Sequence, residues 1–303
     1  MALGRTDAII AGVNKAGTTS LFVSLSAHPD VAPSSIKETR YFLPARYGQP
    51  LEPASVWDAY FADAGDRPVH LEATPSAFYG GERVAEAMHD RLVNPHVLLV
   101  LREPVTRAVS FFIYQKMRLR IPAELPFEDY LAAADRLGPD DFLDPDNEKL
   151  MAFRGGCYAD YLPGWLDTFG VERVHVIDFQ QLLTDPAGTL QATARLLGLD
   201  PSGFPAVALS SENRTTGFRS KRFQRAALAG NDRLERLLRR HPDTKRRLRS
   251  FYYRLNGRAR EEPIPPSVLA ELARRYEEPN ARLARQLDDA GIAKPRFLSD
   301  DSA

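Results

Sequence analysis

A glycine-rich loop between a strand and a helix is the feature that most restricts how this chain can fold. The apolar run Asp7–Val13 has the composition of a short buried strand, and Thr18–Ala27 has helical spacing of its apolar residues. Gly12–Ser20 between them reads Gly-Val-Asn-Lys-Ala-Gly-Thr-Thr-Ser. Backbone N–H groups at the start of such a helix bind phosphate. The pattern predicts a phosphate-binding loop, and a tight turn without a ligand is the alternative.

The loop has the Gly-x4-Gly spacing of nucleotide-triphosphate loops but differs from them in its lysine. Thr18 stands directly after the second glycine, where those loops carry a lysine, and the lysine of this sequence is Lys15. A lysine inside the loop can still contact a terminal anionic group, from the opposite side of the loop. We therefore predict an anion-binding loop with Lys15 beside the ligand.

A second candidate site follows the run His96–Leu101, whose continuous Val and Leu residues are typical of a strand buried on both faces. In a magnesium nucleotidase such a strand would end in a metal-binding aspartate, but here it ends in Arg102. Ser110 lies about two helical turns further on. The two side chains can share one phosphate, with the guanidinium bidentate and the hydroxyl as a further donor. A helix-capping arginine is the alternative for Arg102.

Strand and helix candidates alternate along most of the chain, which favours βαβ units. We predict an α/β fold with a central parallel sheet flanked by helices, in a single domain over residues 1–303 whose part from about 214 to 303 is helical. The predicted strands are 7–13, 69–72, 96–101 and 174–179, and the predicted helices are 18–27, 104–116, 158–169, 186–197 and 266–286.

Composition narrows the class of protein. The chain has 303 residues, 44% of them hydrophobic, which suffices for a full core and excludes disorder as the main state. No apolar run approaches the roughly 20 residues of a membrane helix, and the first residues lack the pattern of a secretory signal. Cys157, the one cysteine, has no partner for a disulfide. We therefore expect a soluble, cytoplasmic protein without a membrane span.

Basic residues are concentrated late in the chain. Residues 214–260 contain sixteen basic and three acidic side chains, although the whole chain has 40 of each kind. A solvated helical face is one explanation, and a basic wall facing an anionic ligand is the other. Aromatic residues are not interleaved there as base-stacking platforms, so we do not expect a nucleic-acid partner.

Taken together, the motifs resemble those of sulfotransferases that use 3′-phosphoadenosine-5′-phosphosulfate (PAPS). Gly12–Ser20 is similar to their 5′-phosphosulfate loop and Leu101–Ser110 to their 3′-phosphate motif. Lys37–Phe42 resembles the Lys-Glu-x-x-aromatic-Phe segment of the heparan-sulfate-type and related bacterial members. Gly156–Leu199 and the tail Tyr276–Asn280 also fit the family pattern. The resemblance implies the P-loop-like PAPS sulfotransferase fold and a sulfotransferase activity.

The resemblance also implies which residues bind PAPS, with the bisphosphate PAP as product. No metal is expected, because the leaving phosphate would be met by lysine and backbone donors. The predicted contacts to the 5′-phosphosulfate are Lys15, Ala16, Gly17, Thr18, Thr19 and Ser20. Those to the 3′-phosphate are Arg102, Ser110 and Arg219, with Arg214 as the reserve for Arg219.

Sulfuryl transfer moves SO3 in line between two oxygens, so the protein's task is positioning and charge stabilisation. Lys15 is expected to stabilise charge that develops on the leaving phosphate oxygen. By the resemblance, Glu38 is the general base, a role that suits a carboxylate whose pKa burial raises toward neutrality. A surface ion pair of Glu38 is the alternative. The rival bases His28 and His70 are left out of the catalytic set.

One departure from the family lies in the run Glu72–Tyr79, where Ala73 replaces a lysine that relatives place in the active site. Arg40 is the candidate to supply the positive charge of the missing lysine, and Glu72 is the candidate to orient the acceptor. We expect the acceptor pocket near Arg118–Asn147, a stretch rich in proline and acidic residues. Its composition favours a hydroxyl of a small neutral molecule, namely a secondary metabolite, a lipid or a sugar.

Two other functions are compatible with a phosphate-binding loop of this kind. A P-loop nucleotide kinase or NTPase is disfavoured by Lys15 within the loop and by Arg102 at the metal position. A non-catalytic binding module is disfavoured by the presence of Lys15, Glu38, Arg102 and Ser110 together, and favoured only by Ala73.

Overall fold

The computed structural model describes residues 5–205, 217–218, 257–258 and 263–299. Five strands form the central sheet in the order β2–β3–β1–β4–β5, and each neighbouring pair is parallel. This confirms the predicted α/β fold with a parallel sheet. The strands are β1 Thr6–Gly12, β2 Val31–Pro33, β3 Val69–Ala73, β4 His96–Leu101 and β5 Val174–Asp178. The three-residue edge strand β2 is too short to have been recognised from its sequence.

Helices cover the sheet, and most predicted ones lie within three residues of their expected bounds. The exception is the helix expected over 158–169, which begins at Leu162 because residues 158–160 form a separate 3₁₀ turn. The α-helices are α1 Thr18–Leu25, α2 Leu43–Arg46, α3 Ala54–Ala59, α4 Gly81–His89, α5 Pro104–Met117, α6 Phe127–Asp135, α7 Leu162–Phe169, α8 Phe179–Thr184, α9 Pro186–Leu196 and α10 Pro266–Asp289.

The last helix belongs to the same core as the sheet. Leu272, Tyr276, Leu283 and Leu287 of α10 are buried in one continuous cluster of apolar side chains with the residues of β1 and β4. The hydroxyl of Tyr276 also donates to the carbonyl oxygen of Phe153 at 2.9 Å. Burial of this apolar face stabilises the packing of α10 against α5 and residues 158–160. The single-domain extent over 1–303 includes residues outside the described ranges and stays a prediction.

The strand order brings three chain segments to one edge of the sheet. After β1 the chain builds β2 and β3 on one side of that strand and β4 and β5 on the other. In open α/β sheets, ligands bind outside the carboxyl ends of the strands at such a point of reversal. The loop after β1, the residues after β3 and Arg102 after β4 all lie at this edge.

Most of the basic stretch 214–260 lies outside the described residues; within it, Gly217–Phe218 and Gly257–Arg258 pair as antiparallel strands β6 and β7. Of the helices that are described, none combines the length and the apolar character that crossing a bilayer would require.

Candidate active site

A cleft of about 530 Å³ opens at the carboxyl edge of the sheet. It brings together the loop after β1, the segment after β2, the residues after β3, Arg102 after β4, the second half of α5 and helix α8. Its lining residues are Asn14, Lys15, Gly17, Thr18, Thr19, Ser20, Glu38, Arg40, Pro75, Ser76, Arg102, Ser110, Phe111, Tyr114, Gln115, Met117, Arg120, Glu148, Phe179 and Leu183.

The loop after β1 has the backbone of an anion-binding turn. Lys15 and Gly17 both adopt left-handed conformations, with φ of 72° and 77°, and α1 begins directly after Gly17. A side chain at Gly17 would also lie 3.0 Å from the ring of Phe179, so glycine fits both the conformation and the space. The helix start and its dipole therefore face the cleft. Ala16 does not line the cleft: it is buried, and its N–H donates to the carbonyl of Val13 at 3.3 Å.

Lys15 is directed across the cleft toward α5. Its ammonium nitrogen lies 4.6 Å from the centroid of the Tyr114 ring, a cation–π distance. Tyr114 is one helical turn beyond Ser110, and both side chains line the cleft. The side chain of Lys15 thus extends from the loop after β1 to the helix that carries Ser110, the second predicted phosphate contact.

Arg102 connects the two predicted phosphate sites. Its Nη1 donates to the carbonyl oxygen of Lys15 at 2.9 Å, and its guanidinium lies 4.8 Å from the centroid of the Phe179 ring. It does not cap α5, because the carboxylate of Glu103 accepts from the N–H groups of Val105 and Thr106, both at 2.7 Å. Arg102 therefore lines the cleft while it holds the backbone of the loop, and it lies in the same cleft as Ser110.

Glu38 lies in the same cleft and remains accessible. Its side chain is 36% exposed, and its carboxylate lies 3.6 Å from the ammonium group of Lys37. The protein around Glu38 therefore leaves this carboxylate in contact with solvent. Ligands that fill the cleft would shield this carboxylate from water.

The buried carboxyl group of this region is Glu72, which lies beneath the segment that carries Glu38. Glu72 Oε1 accepts from Thr39 N at 3.1 Å, from Thr39 Oγ1 at 2.9 Å and from Thr74 Oγ1 at 2.6 Å. The residue is 1% exposed and does not line the cleft. Burial raises its pKa, against the effect of these hydrogen bonds. The structure thus places Glu72 where it orients the Thr39 backbone, and not where it touches an acceptor.

Replacing Glu72 by glutamine is expected to make folding stability less dependent on pH. A carboxyl whose folded pKa is raised stabilises the protein fully below the ordinary glutamate pKa, and this contribution is lost as pH rises through the folded value. As pH rises above the ordinary glutamate pKa, urea unfolding should therefore show the wild type losing stability relative to Glu72→Gln. Parallel curves for the two proteins would contradict the assignment. Glu86→Gln, at an exposed position on α4, is the control.

Arginines supply positive charge near the position of the missing lysine. Ala73 is buried and points no charge into the cleft, whereas Arg40 and Arg120 line it. Both arginines approach the carboxylate of Glu148, at 4.0 Å and 3.5 Å, and Arg46 lies 3.9 Å from it. Arg40 is thus placed for the predicted compensation. Arg120 was not singled out from the sequence, because it belongs to none of the motifs that the sequence shows.

The other predicted residues lie outside this cleft or outside the described ranges. His28 Nε2 pairs with the carbonyl of Asp200 at 2.9 Å, and the ring of His70 stacks on Phe61 with 4.7 Å between the ring centroids. Both rings are therefore held by contacts within the fold. Arg219 and its reserve Arg214 lie outside the described residues.

Comparison with known protein families assigns the chain to one of them. The profile of the family described as "Sulfotransferase domain" matches residues 5–228. The chain belongs to this sulfotransferase family. The matched range includes each of the three N-terminal motifs and the whole parallel sheet.

Individual relatives point to the same family. Human (Homo sapiens) heparan sulfate glucosamine 3-O-sulfotransferase 5 is 29% identical over 197 residues, which are 64% of this chain and 54% of that protein. Mouse (Mus musculus) heparan sulfate glucosamine 3-O-sulfotransferase 6 is 31% identical over 193 residues, with 64% and 52% coverage. The chain thus spans about half the length of these relatives.

Among solved structures, a sulfotransferase from Alicyclobacillus acidocaldarius has a similar fold. The TM-score is 0.58 at 23% identity, and the match covers 78% of this chain and 95% of the other. At this identity the likeness concerns the fold, which agrees with the sheet order and the flanking helices of this sulfotransferase family member.

Proposed function

We propose that this protein transfers a sulfuryl group from PAPS to a hydroxyl of a small acceptor. The observation that carries the proposal is the meeting of three elements in one cleft of a sulfotransferase family member. These are the anion-binding loop with Lys15, the pair Arg102 and Ser110, and the carboxylate of Glu38. The relatives are named for 3-O-sulfation, which supports an oxygen acceptor.

The proposed donor accounts for the distribution of positive charge. The phosphosulfate of PAPS lies against the loop from Lys15 to Ser20 and the start of α1, where N–H groups and the helix dipole favour an anion. The 3′-phosphate lies against Arg102 and Ser110. A guanidinium at the end of β4 suits a phosphate ligand. ATP with magnesium would instead call for a carboxylate at this position.

In the proposed reaction, the acceptor oxygen attacks sulfur in line with the leaving phosphate oxygen. Glu38 accepts the proton of the hydroxyl, and Lys15 stabilises the charge that the phosphate acquires as the S–O bond breaks. The products are a sulfate ester and PAP. Donor and acceptor together would cover Glu38 and exclude water from it, which strengthens its hydrogen bond to the acceptor hydroxyl.

A second cleft of about 520 Å³ adjoins the first and shares Arg40, Arg120 and Glu148 with it. Residues from both ends of the stretch Arg118–Asn147, where the acceptor pocket was expected, line this second cleft. Asp146 and Lys149 are in its wall. The wall of this cleft contains both acidic and basic side chains, which supports a small neutral acceptor over a polyanion. Preference for a highly sulfated polysaccharide over small alcohols would reject this part of the proposal. A cytoplasmic location also remains a proposal.

Thermal shift with PAP and with magnesium-ATP tests the donor. A ligand at 100 times its dissociation constant adds about 2.7 kcal/mol of stability. We expect PAP to raise the melting temperature without added metal and magnesium-ATP to leave it unchanged. Stabilisation by magnesium-ATP alone would favour a kinase or NTPase. A response to neither ligand would favour a binding module.

Arg102→Ala is expected to weaken PAP binding by about 10- to 150-fold. The substitution removes a charged hydrogen-bond donor, and such bonds contribute about 1.5–3 kcal/mol. Titration calorimetry with PAP measures the loss, and the melting temperature of the free variant shows whether the loop has kept its fold after losing the bond to the Lys15 carbonyl. Arg195→Ala, an exposed position on α9, is the control. Equal PAP affinity in Arg102→Ala and wild type would exclude Arg102 as a phosphate contact.

A further inference from the structure

A direct contact joins two walls of the cleft, because the ammonium group of Lys15 lies over the aromatic face of Tyr114. The nitrogen is 4.6 Å from the ring centroid, within the roughly 6 Å at which a cation is attracted to an aromatic face. Both side chains line the cleft, and Tyr114 is 38% exposed, so this contact is open to a bound ligand. The proposed reaction uses the charge of Lys15 but assigns no role to Tyr114.

The backbones on both sides of this contact are held by other parts of the fold. Arg102 Nη1 donates to the carbonyl oxygen of Lys15 at 2.9 Å, which fixes the residue from which the ammonium group extends. On α5, the next two residues, Gln115 and Lys116, are buried, so the helix cannot turn freely to move the Tyr114 ring. The main remaining freedom is rotation about the flexible stem of the lysine, and the ring face restricts it.

Tyr114 makes this contact as a neutral ring. Burial raises the pKa of its hydroxyl, against the effect of Arg118 and together with that of Glu38. The contact with Lys15 is therefore a cation–π contact and not an ion pair. An ammonium group has three N–H donors, so those that do not face the ring remain for a phosphate oxygen.

We infer that Tyr114 is a positioning residue for Lys15 in sulfuryl transfer. The inference rests on the proposed function. The ring face holds the ammonium group on the α5 side of the loop, in the position from which it meets the leaving phosphate oxygen. A bound donor excludes water from the cleft, and cation–π contacts are stronger when the cation is desolvated. Tyr114 thus acts through Lys15 and needs no contact of its own with the reacting atoms.

A double-mutant cycle on kcat tests this inference, with PAP release from PAPS measured for methyl β-D-glucopyranoside and for p-nitrophenol. Tyr114→Leu removes the ring face and should lower kcat about 3- to 30-fold with both acceptors, because the leaving phosphate is the same. Tyr114→Phe keeps the face and should retain at least a third of the wild-type kcat. In the Lys15→Met background, Tyr114→Leu should cause no further loss.

Other roles of Tyr114 give different results in this cycle. A ring that contacts only the acceptor, or only supports the fold, would cause the same fold-loss in the wild-type and Lys15→Met backgrounds, which would overturn the inference. A kcat of Tyr114→Leu within twofold of wild type would overturn it as well. Tyr47→Leu is the matched control, since the Tyr47 ring lies 5.3 Å from the guanidinium of Arg46 and lines the second cleft. Its effect should be the same in both backgrounds.

Fluorination of the ring at position 114 tests the contact with little change of shape, and it decides the question even if Tyr114→Leu fails to fold. Fluorine withdraws electron density from the ring face and so weakens its attraction for a cation. Phenylalanine with one, two and three ring fluorine atoms at this position should lower kcat stepwise relative to Tyr114→Phe. In the Lys15→Met background the series should have no effect. A kcat that does not fall along the series would contradict the assignment.

The outcomes separate the inference from the proposed function. If PAP does not raise the melting temperature of the wild type and no PAP is released from PAPS, the proposed function fails and the inference falls with it. If the wild type turns over PAPS but the effects of Tyr114→Leu and Lys15→Met on kcat simply multiply, the inference alone is overturned.

Discussion

Glu38→Gln is expected to lower kcat for an alcohol acceptor by about 10²- to 10⁴-fold, the range of general base catalysis. Glutamine keeps the shape of the side chain but cannot accept the proton of the attacking hydroxyl. The effect should depend on the acceptor. Methyl β-D-glucopyranoside needs a base, whereas p-nitrophenol is already largely ionised at about pH 8. PAP release measured with both acceptors should therefore show a large loss for the glucoside and a small loss for the phenol.

The acceptor dependence separates catalysis from a structural effect. If Glu38 only held Lys37, whose ammonium group lies 3.6 Å from its carboxylate, the loss would be the same for both acceptors. Glu86→Gln serves as the matched control, since Glu86 is exposed on α4. A glucoside kcat within threefold of wild type in Glu38→Gln would remove Glu38 from the catalytic set.

Lys15→Met is expected to lower kcat by about 10²- to 10³-fold, the effect of removing one donor to a developing oxyanion. Methionine retains most of the length and the apolar stem, so the change isolates the charge. The loss should appear with the glucoside and with p-nitrophenol alike, because the leaving phosphate is the same. This equal loss distinguishes Lys15 from Glu38 in the same PAP-release assay.

The control for this substitution is Lys294→Met, which removes a lysine paired with Asp288 at 3.0 Å in another part of the chain. Lys15→Arg tests the geometry of the charge, because the left-handed backbone of the loop presents the Lys15 side chain toward Tyr114. We expect this variant to recover part of the activity that Lys15→Met loses. A kcat equal to that of the wild type in Lys15→Met would show that the charge of Lys15 does not stabilise the leaving phosphate.

The loop part of the cleft could be predicted because its pattern is local. The glycine spacing, the strand before it and the helix after it lie within about 20 consecutive residues, so one stretch of sequence shows all three. The same holds for Arg102 and Ser110, whose separation is set by one helix. Their presence in one cleft with the loop follows from the pairing of β1 with β4.

The acceptor part could not be predicted in the same way, because it is assembled from distant segments. Glu72 was expected to orient the acceptor, but its neighbour Thr39 lies 33 positions away in sequence and covers it.

By itself, the sequence determined the parallel α/β fold, the glycine-rich turn between β1 and α1 and the order of the motifs, because periodicity and glycine spacing act over short stretches of chain. The tertiary structure decided which carboxyl group is buried and which is accessible, since burial depends on every segment packed around a residue. It left Glu38 open and buried Glu72, and it brought Arg120 and Glu148 into the cleft. Electrostatic environment is a property of the folded assembly, and sequence patterns do not encode it directly.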